Sequence, residues 1–576
     1  MHIRVFAAAA LTAAAIWVAQ PFAQEDLGVP SNDGLVVCVS APACDAGASL
    51  LARGGNAVDA AVATAFALAV THPSAGNIGG GGFMVVRTAA GAVTTFDYRE
   101  RAPRKSTPTM YLDADGKIDK TLTAAGYLAP GVPGTVRGLQ MAHKKFGKLS
   151  WHDVVLPSVS LADGFTLSAA LARSLNREVQ GPMANFPASI AAFAKPGGGD
   201  WAEGDRLVQP DLAKTLRAIA DKADTFYTGW IADRIADDMK ANGGIITKKD
   251  LAGYRAKERA PVRGTYKGFE IVSMAPPSSG GVALIEMMNI VEPFDLKAKG
   301  LLTPPALHVQ IEAMRRAYLD RARYLGDPDF VKVPVAKLTA KEHARTVAST
   351  IDPAKASSSV ELGRDIVTAT AAEPDETTHF SVVDRDGMAV ASTYTLEGGF
   401  GSHVVVKGAG FLLNNEMGDF NRKAGETNVT GDIGTPANQI EPRKAMLSSM
   451  TPTMVLKDGK LVLLTGSPGG RTIINTVFTI VLGVTEFGLN GRQAVDLMRM
   501  HHQWLPDGVT FEADANGDTL AALKAMGHDV RAQGRQGDAH SIWFGPDGTP
   551  YGVPDKRTPD ATASVPQRLT APTAGR

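Results

Sequence analysis

Two threonines and a glycine turn hold most of the chemistry that this chain offers to a first reading. Thr377 stands where a polar stretch from Ala354 to Glu376 gives way to the apolar run HFSVVD, then RDG, then MAVASTYT. An Asp-Gly between apolar runs signals a hairpin. If Arg385, Asp386 and Gly387 form a three-residue loop with Gly387 left-handed, Asp384 pairs with Met388 and Thr377 falls opposite Thr395. A two-residue loop moves that partner to Leu396. Either way Thr377 lies beside Thr395 and Glu397; taken alone, an ordinary strand start is the better reading. The second element is TGSPGGRT, residues 465–472, where a strand ends in glycines and a helix begins. Backbone N–H groups brought close by Gly469 and Gly470 favour an anion or a developing oxyanion. The GxxxxGK[ST] lysine and spacing of a phosphate loop are missing, so an oxyanion hole is favoured once a nucleophile lies nearby. His501 and His502 are adjacent and point in different directions, which suits packing better than a metal. His379 is close enough to Thr377 to be considered as a base.

The elements that must position these residues are legible in outline. NAVDAAVATAFALAV, 56–70, reads as a helix capped by Asn56 and ended before His72-Pro73. AGNIGGGGFMVV reads as a glycine hinge entering a strand. Leu307, Ile311, Met314, Tyr318 and Leu325 recur at helical spacing with Arg315, Arg316, Arg321 and Arg323 interleaved, which predicts an amphipathic surface helix. The stretch from Ala354 to Glu376 is the segment expected to be flexible. A second Asp-Gly, between TPTMVL and KLVLLTG, predicts another hairpin, and RTIINTVFTIVLGV after SPGG predicts a helix. The C-terminal part is thus a layered α/β unit, and no repeat suggests a solenoid or propeller.

The whole chain has 576 residues, 59 Lys+Arg against 59 Asp+Glu, and 44% hydrophobic residues. It can bury a large core, and its neutrality argues against a generic polyanion partner such as nucleic acid. Glycine, 60 residues, exceeds the usual share of about 7% without a collagen-like period, so the excess belongs in turns and close approaches. His2 and Arg4, the apolar stretch Val5 to Val18 and the small residues near Ala19 and Ala23 have the layout of a secretory signal peptide, too short for a membrane anchor. Export to a periplasm, or secretion, is expected. The two cysteines, Cys38 and Cys44, either close one small disulfide loop there or remain thiols; two cysteines alone make no zinc site.

DETTHFSVVDRDGMAVASTYTL, FLLNNEMGDF, LSSMTPT and TGSPGGRT, in that order, together with FDYRERAP, PGVPGTVRGL and GNAVDAAVATAFALAVTHPSAGNIGGGGFM, resemble the γ-glutamyltransferase (γ-glutamyltranspeptidase) family. The likeness runs from about Gly34 to Asp560. It implies an N-terminal nucleophile hydrolase with a four-layer αββα sandwich, made as a precursor. Self-cleavage between Glu376 and Thr377 would follow a leader of residues 1–23, leaving a large subunit, 24–376, and a small subunit, 377–576, as one folded heterodimer. The resemblance implies Thr377 as nucleophile, Thr395 as its orienting neighbour, and Gly469 and Gly470 as oxyanion donors. Arg99 with Ser448 and Ser449 would receive a glutamyl carboxylate; Glu416 and Asp419 would hold its ammonium. The implied substrates are glutathione, other γ-glutamyl compounds, and amino acid or dipeptide acceptors, with no cofactor or metal.

Two positions depart from the pattern. Glu397 stands where well-known members carry asparagine, placing a third acid near the ammonium pocket. Thr430, in the loop from Lys423 to Thr435, stands where some bacterial members carry a gating tyrosine, which implies a looser lid and a larger share of hydrolysis. A cephalosporin (glutaryl) acylase of the same superfamily is the alternative, and Asp419 argues against it, because a glutaryl group has no ammonium.

Overall fold

Alternation along single strands decides the layering. Between Gly34 and Cys38, Val36 and Cys38 face one hydrophobic core, while Leu35 and Val37 face another. Successive strand side chains point to opposite faces, so such a strand must be covered on both. The computed structural model describes residues 26–366, 377–429, 431–532 and 534–567. The proposed leader, Glu376 and Thr430 lie outside these described residues.

Among the described residues the two large sheets draw on β1 (Val29–Pro30), β2 (Gly34–Cys38), β3 (Gly81–Arg87), β4 (Val93–Asp97), β5 (Lys257–Arg259), β6 (Val262–Tyr266) and β7 (Phe269–Ser273). The later strands are β8 (Thr378–Asp384), β9 (Ala389–Thr395), β10 (Thr453–Lys457), β11 (Lys460–Thr465), β12 (Ser541–Phe544), β13 (Pro550–Val553) and β14 (Thr562–Ser564). One seven-stranded sheet runs β14-β2-β8-β9-β3-β4-β5, the other β1-β13-β12-β11-β10-β7-β6. Strands β8 and β9, which follow Thr377, are inserted between β2 and β3 from the first part of the chain.

Helices α1 (Ala41–Ala52) and α2 (Ala57–Thr71) share a core with Met84, Phe380 and Val390 of the first sheet. On the far side, α3 (Gly280–Val291), α4 (Pro304–Tyr324) and α6 (Thr472–Thr485) pack with Ile271, Val455 and Leu463 of the second sheet, and α5 (Lys341–Ala348) joins the same cluster. Val85, Val383 and Ala391 meet Val272, Met454 and Leu464 between the sheets. The order is helix, sheet, sheet, helix: the expected αββα sandwich.

Local sequence explains several elements. Asn56 caps α2 by accepting from the N–H groups of Val58 and Asp59, and Asp59 accepts in return from the N–H of Asn56. The first hairpin takes the three-residue loop: Val383 pairs with Ala389, the Asp384 N–H donates to the Met388 carbonyl, and Gly387 has φ +83°. The second turns on Asp458 and Gly459, both left-handed at φ +50° and +74°, with Lys457 paired to Lys460. Cys38 and Cys44 form a disulfide.

Two expectations change. Helix α4 is not an amphipathic surface helix; Arg315 and Arg316 are buried with it because Glu312, one turn back, takes an ion pair from each. The polar stretch is not uniformly loose, since up to Ile366 it is anchored by Ser359, whose hydroxyl donates to Asp507 and whose carbonyl accepts from Trp504 Nε1. The glycines at 79–82 enter the strand as expected, and none has a positive φ. They are close approaches, since a Cβ on Gly80 would lie 2.0 Å from the Thr395 carbonyl oxygen and one on Gly79 2.0 Å from that of Leu412.

Gly80→Ala should therefore destabilise the chain by about 3 kcal/mol, an overpacking cost against rigid backbone. Gly517→Ala, where an added Cβ meets nothing within 4 Å, should be close to neutral. Thermal unfolding of the two variants side by side checks the contrast.

Candidate functional site

The geometry is built outward from the end of β9. Thr378 pairs with Tyr394 and Thr395 pairs with Gly81, so the β8–β9 register carried back one residue sets Thr377 beside Thr395. Both are buried, at 6% and 3% exposure. Thr395 is fixed from two sides. Its hydroxyl oxygen accepts from the Glu397 N–H at 2.8 Å, and its carbonyl accepts from Asn77 Nδ2 at 2.8 Å. Asn77 is in turn held through Oδ1 by the Gly80 N–H and by the Thr135 hydroxyl.

The glycine turn leaves β11 and enters α6. Gly469 and Gly470 have φ +120° and +50°, and their carbonyls accept from the N–H groups of Thr472 and Ile473. Thr377 and Gly469 line one cavity of about 910 Å³, with Thr378, Pro468 and Thr472 around them. A hydroxyl and a helix-opening glycine turn in one cavity form an arrangement suited to acyl chemistry.

His379 cannot be a base for that hydroxyl. It is fully buried, its ring nitrogens face the hydroxyls of Thr393 at 2.8 Å and Ser381 at 3.1 Å, and burial holds its pKa well below the ordinary value. The His501-His502 pair is structural too. His501 faces Asn475 and Gln503, His502 faces the Trp504 N–H and Asp507, and burial lowers both to about 4.

The charged residues converge differently from the two separate poles expected. Arg99 Nη1 is 2.6 Å from Glu416 Oε2, Nη2 donates to Asp419, and the guanidinium also reaches the carbonyls of Met446 and Leu447. Carboxylate-binding and ammonium-binding candidates are thus one ion cluster, each a counter-charge of the other. Arg99 and Glu416 are almost completely buried, while the Asp419 side chain is 33% exposed and forms the open edge. Glu100 completes the set, its Oε2 3.5 Å from Arg99 Nη1. Burial pushes Glu100 up to about 7 and Glu416 well above the ordinary carboxylate range, with Arg99 opposing both shifts. Glu397, at φ +82°, adds its own charge to the field at Glu416.

Ser448 and Ser449 lie on the loop that gives Arg99 its carbonyl partners. The Ser448 hydroxyl accepts from the Met450 N–H, and that of Ser449 accepts from Arg321 Nη2 at 3.1 Å. Arg321 also donates to Ser279 at 3.0 Å, and Ser279 binds the Ser448 carbonyl through both N–H and hydroxyl. Asn77, Glu100, Arg321 and Asn415 escaped the sequence reading. Asn415 ties the turn after β9 by donating its N–H to the Leu396 carbonyl and accepting from the Gly398 N–H. Its place directly before Glu416 was the available signal.

Removing one partner of a buried ion cluster strands the other. Arg99→Gln should cost about 3 kcal/mol near neutral pH. Without the guanidinium, Glu416 and Glu100 bind protons still more tightly in the folded chain than in the unfolded one, so folded stability falls as pH rises above the unfolded carboxyl value of about 4.3. The thermal-midpoint deficit against wild type should accordingly be larger at about pH 8 than at about pH 5.5. An equal deficit at both would contradict the assignment.

Comparison with known proteins places this geometry. A sequence model of the family described as gamma-glutamyltranspeptidase matches residues 43–565. The chain is 47% identical over 543 residues to the glutathione hydrolase proenzyme of Escherichia coli (strain K12), with 93% of each chain covered. It is 36% identical over 542 residues to the Acylase ACY 1 proenzyme of Pseudomonas sp. (strain SE83), covering 92% of this chain and 93% of that one. The structure of a cephalosporin acylase from Bacillus halodurans matches it with a TM-score of 0.82 at 26% identity, covering 95% of this chain and 98% of the other. With the family model spanning most of its length and a full-length relative at nearly half identity, the chain belongs to the γ-glutamyltranspeptidase family.

Proposed function

We propose that the chain is the precursor of a γ-glutamyltransferase and glutathione hydrolase that cuts itself between Glu376 and Thr377. The observation that carries this is the position of Thr377: first residue before a central strand, beside Thr395, in the same cavity as Gly469. In the precursor the Thr377 hydroxyl attacks the carbonyl of Glu376. The amide shifts to an ester, and water releases the large subunit, 24–376, from the small subunit, 377–576. The two stay together as one folded heterodimer. Cleavage frees an α-amine whose unperturbed pKa of about 7.7–8.0 suits it to take the hydroxyl proton. No other base is required, in keeping with the blocked ring of His379.

The mature Thr377 then attacks the γ-carbonyl of glutathione or another γ-glutamyl compound. The oxyanion is held at Gly469 and Gly470, the leaving amine takes the proton, and a γ-glutamyl ester remains. Water resolves it to glutamate; an amino acid or dipeptide resolves it to a new γ-glutamyl product. Thr395 orients the nucleophile. The glutamyl head binds by exchange of ion pairs: its carboxylate replaces the acids on Arg99, aided by Ser448 and Ser449, and its ammonium takes Glu416 and Asp419. Glu397 adds a third negative charge beside that ammonium. Recognition of a zwitterion leaves the net charge of the cluster unchanged. Among the described residues no helix is long and apolar enough to cross a membrane, and we assign the enzyme to the periplasm or the medium, exported by its N-terminal leader.

The glutaryl acylase reading has support from the acylase likenesses, but at lower identity, and it leaves Asp419 without a substrate partner. Purified wild-type protein should run as two fragments, one beginning at Thr377, whereas Thr377→Ala should give a single band near 60.4 kDa before leader removal. Fragmentation of that variant would end the proposal. The processed enzyme should hydrolyse γ-glutamyl-p-nitroanilide at least about 100-fold faster than glutaryl-p-nitroanilide, because the glutaryl compound leaves buried acids without their cation. Asp419→Asn should narrow that ratio by at least about tenfold. Parity of the two substrates in the wild type would favour the acylase.

A further inference from the structure

Three helices on the far side of the second sheet bring together a cluster to which the reaction gives no task. Glu286 of α3, Asp320 of α4 and His343 of α5 place two carboxylate oxygens and one imidazole nitrogen within 4.8 Å of one another. His343 Nε2 lies 3.1 Å from Asp320 Oδ2 and 3.5 Å from Glu286 Oε1. A tetrahedral ion with bonds of about 2.0–2.1 Å spaces its ligand atoms about 3.3–3.4 Å apart, and the two separations bracket that value.

A second observation points to a missing ligand. Glu286 is 1% exposed; its carboxyl shares a hydrogen bond with Asp320, while no donor reaches its Oε1, which is directed at His343. Buried acceptors are nearly always satisfied, so this oxygen calls for an electropositive neighbour. Apart from His343 itself, whose Nε2 stands 3.5 Å away, the local cations do not supply one. Lys337 is felt by Glu286 only through space and sits 5.2 Å above the ring of Tyr324. Arg323 Nη1 is 4.0 Å from Asp320 Oδ1, and its Nη2 donates to Asp365. The side chains of Asp320 and His343 keep 12% and 17% exposure, so the cluster is reached from solvent on that side.

The other three-residue cluster, His308, Glu312 and His528, fails the same test. Glu312 there is already neutralised by Arg315 and Arg316, which would repel an incoming cation.

We propose that Glu286, Asp320 and His343 bind one divalent transition-metal ion, with zinc the best fit, and that the ion clamps α3, α4 and α5 together. One nitrogen and two oxygen donors in this spacing suit zinc, whereas calcium and magnesium require six or more oxygens. On binding, the protons shared within the cluster, between His343 and Asp320 and between Glu286 and Asp320, leave to solvent; His343 ends neutral with hydrogen on its other nitrogen, and the freed oxygen and nitrogen lone pairs become the metal bonds. The clamp is independent of the nucleophile, so its failure would leave the proposed reaction untouched.

The test uses untagged, processed wild-type protein dialysed with zinc chloride and then against metal-free buffer. Elemental analysis should find one zinc per chain, and added zinc should raise the thermal midpoint by several degrees, beyond any effect of magnesium or calcium chloride. Glu286→Gln and His343→Gln, which keep hydrogen-bonding capacity, should each weaken zinc binding at least tenfold and lose the midpoint rise. The proposal is overturned if the wild-type chain retains no zinc, if magnesium or calcium raises the midpoint as much, or if both variants respond to zinc as the wild type does. Should either variant fail to fold, the wild-type stoichiometry and metal series decide alone.

Discussion

The constraint on which the rest depends is that β8 is held along its length by two neighbours while its start lies at the rim of a cavity. Residues Ser381 to Asp384 pair with β2 on one side, and Thr378 to Val383 pair with β9 on the other. Strand β9 is secured in turn by a continuous ladder to β3, from Ala389 to Thr395. A strand held in this way does not need its N-terminal peptide bond to stay in place. That property is what a self-cutting precursor requires, since the new amine must appear within reach of a hydroxyl that does not move. The ladders also explain the crowding at the glycines. Asn77 and Gly80 can approach the Thr395 carbonyl only because position 80 carries no Cβ.

Electrostatics set the second layer of order. Arg99 is buried with three acids within ion-pair reach, and such a cluster is tolerated only when its charges compensate one another. Its backbone is pinned independently: the Arg99 N–H donates to Asp97, and its carbonyl accepts from the Tyr254 hydroxyl. Asp97 is itself held by Arg101 and Arg259. The guanidinium can therefore exchange partners at its outer edge, where Asp419 is exposed, without the chain around it shifting.

What the sequence disclosed follows from how local each signal was. The hairpin register was legible, including Thr377 beside Thr395, because Asp-Gly turns and period-2 alternation are properties of a few adjacent residues. The cap on α2 was legible for the same reason. The place of β8 and β9 between β2 and β3 was not, since nothing local to HFSVVD or MAVASTYT names partners some 300 residues away. Helix α4 was misread because burial of Arg315 and Arg316 depends on Glu312, and i,i+3 and i,i+4 charge pairs look alike on a solvated face and in a core. The contact of Arg99 with Glu416 and Asp419 was hidden by the family likeness itself, which assigned the opposite charges to opposite ends of a ligand.

Helix α4 joins these layers more directly than its composition suggested. Arg321 reaches Ser279 and Ser449, and so fixes the loop whose carbonyls at Met446 and Leu447 hold Arg99. The preceding residue, Asp320, turns instead toward His343 on α5. Adjacent helical residues point about 100° apart, so one helix can brace the loop at Ser448 and Ser449 with one side chain and its own packing with the next. Tyr318, one turn earlier, donates its hydroxyl to the carbonyl of Arg471, at the start of α6 just after the glycine turn. The loop at Ser448 and Ser449 and the glycine turn at Gly469 and Gly470 thus both rest on one buried helix. That helix, through Arg321 on one turn and Tyr318 on the turn before, is what relates the Arg99 cluster to the glycine turn.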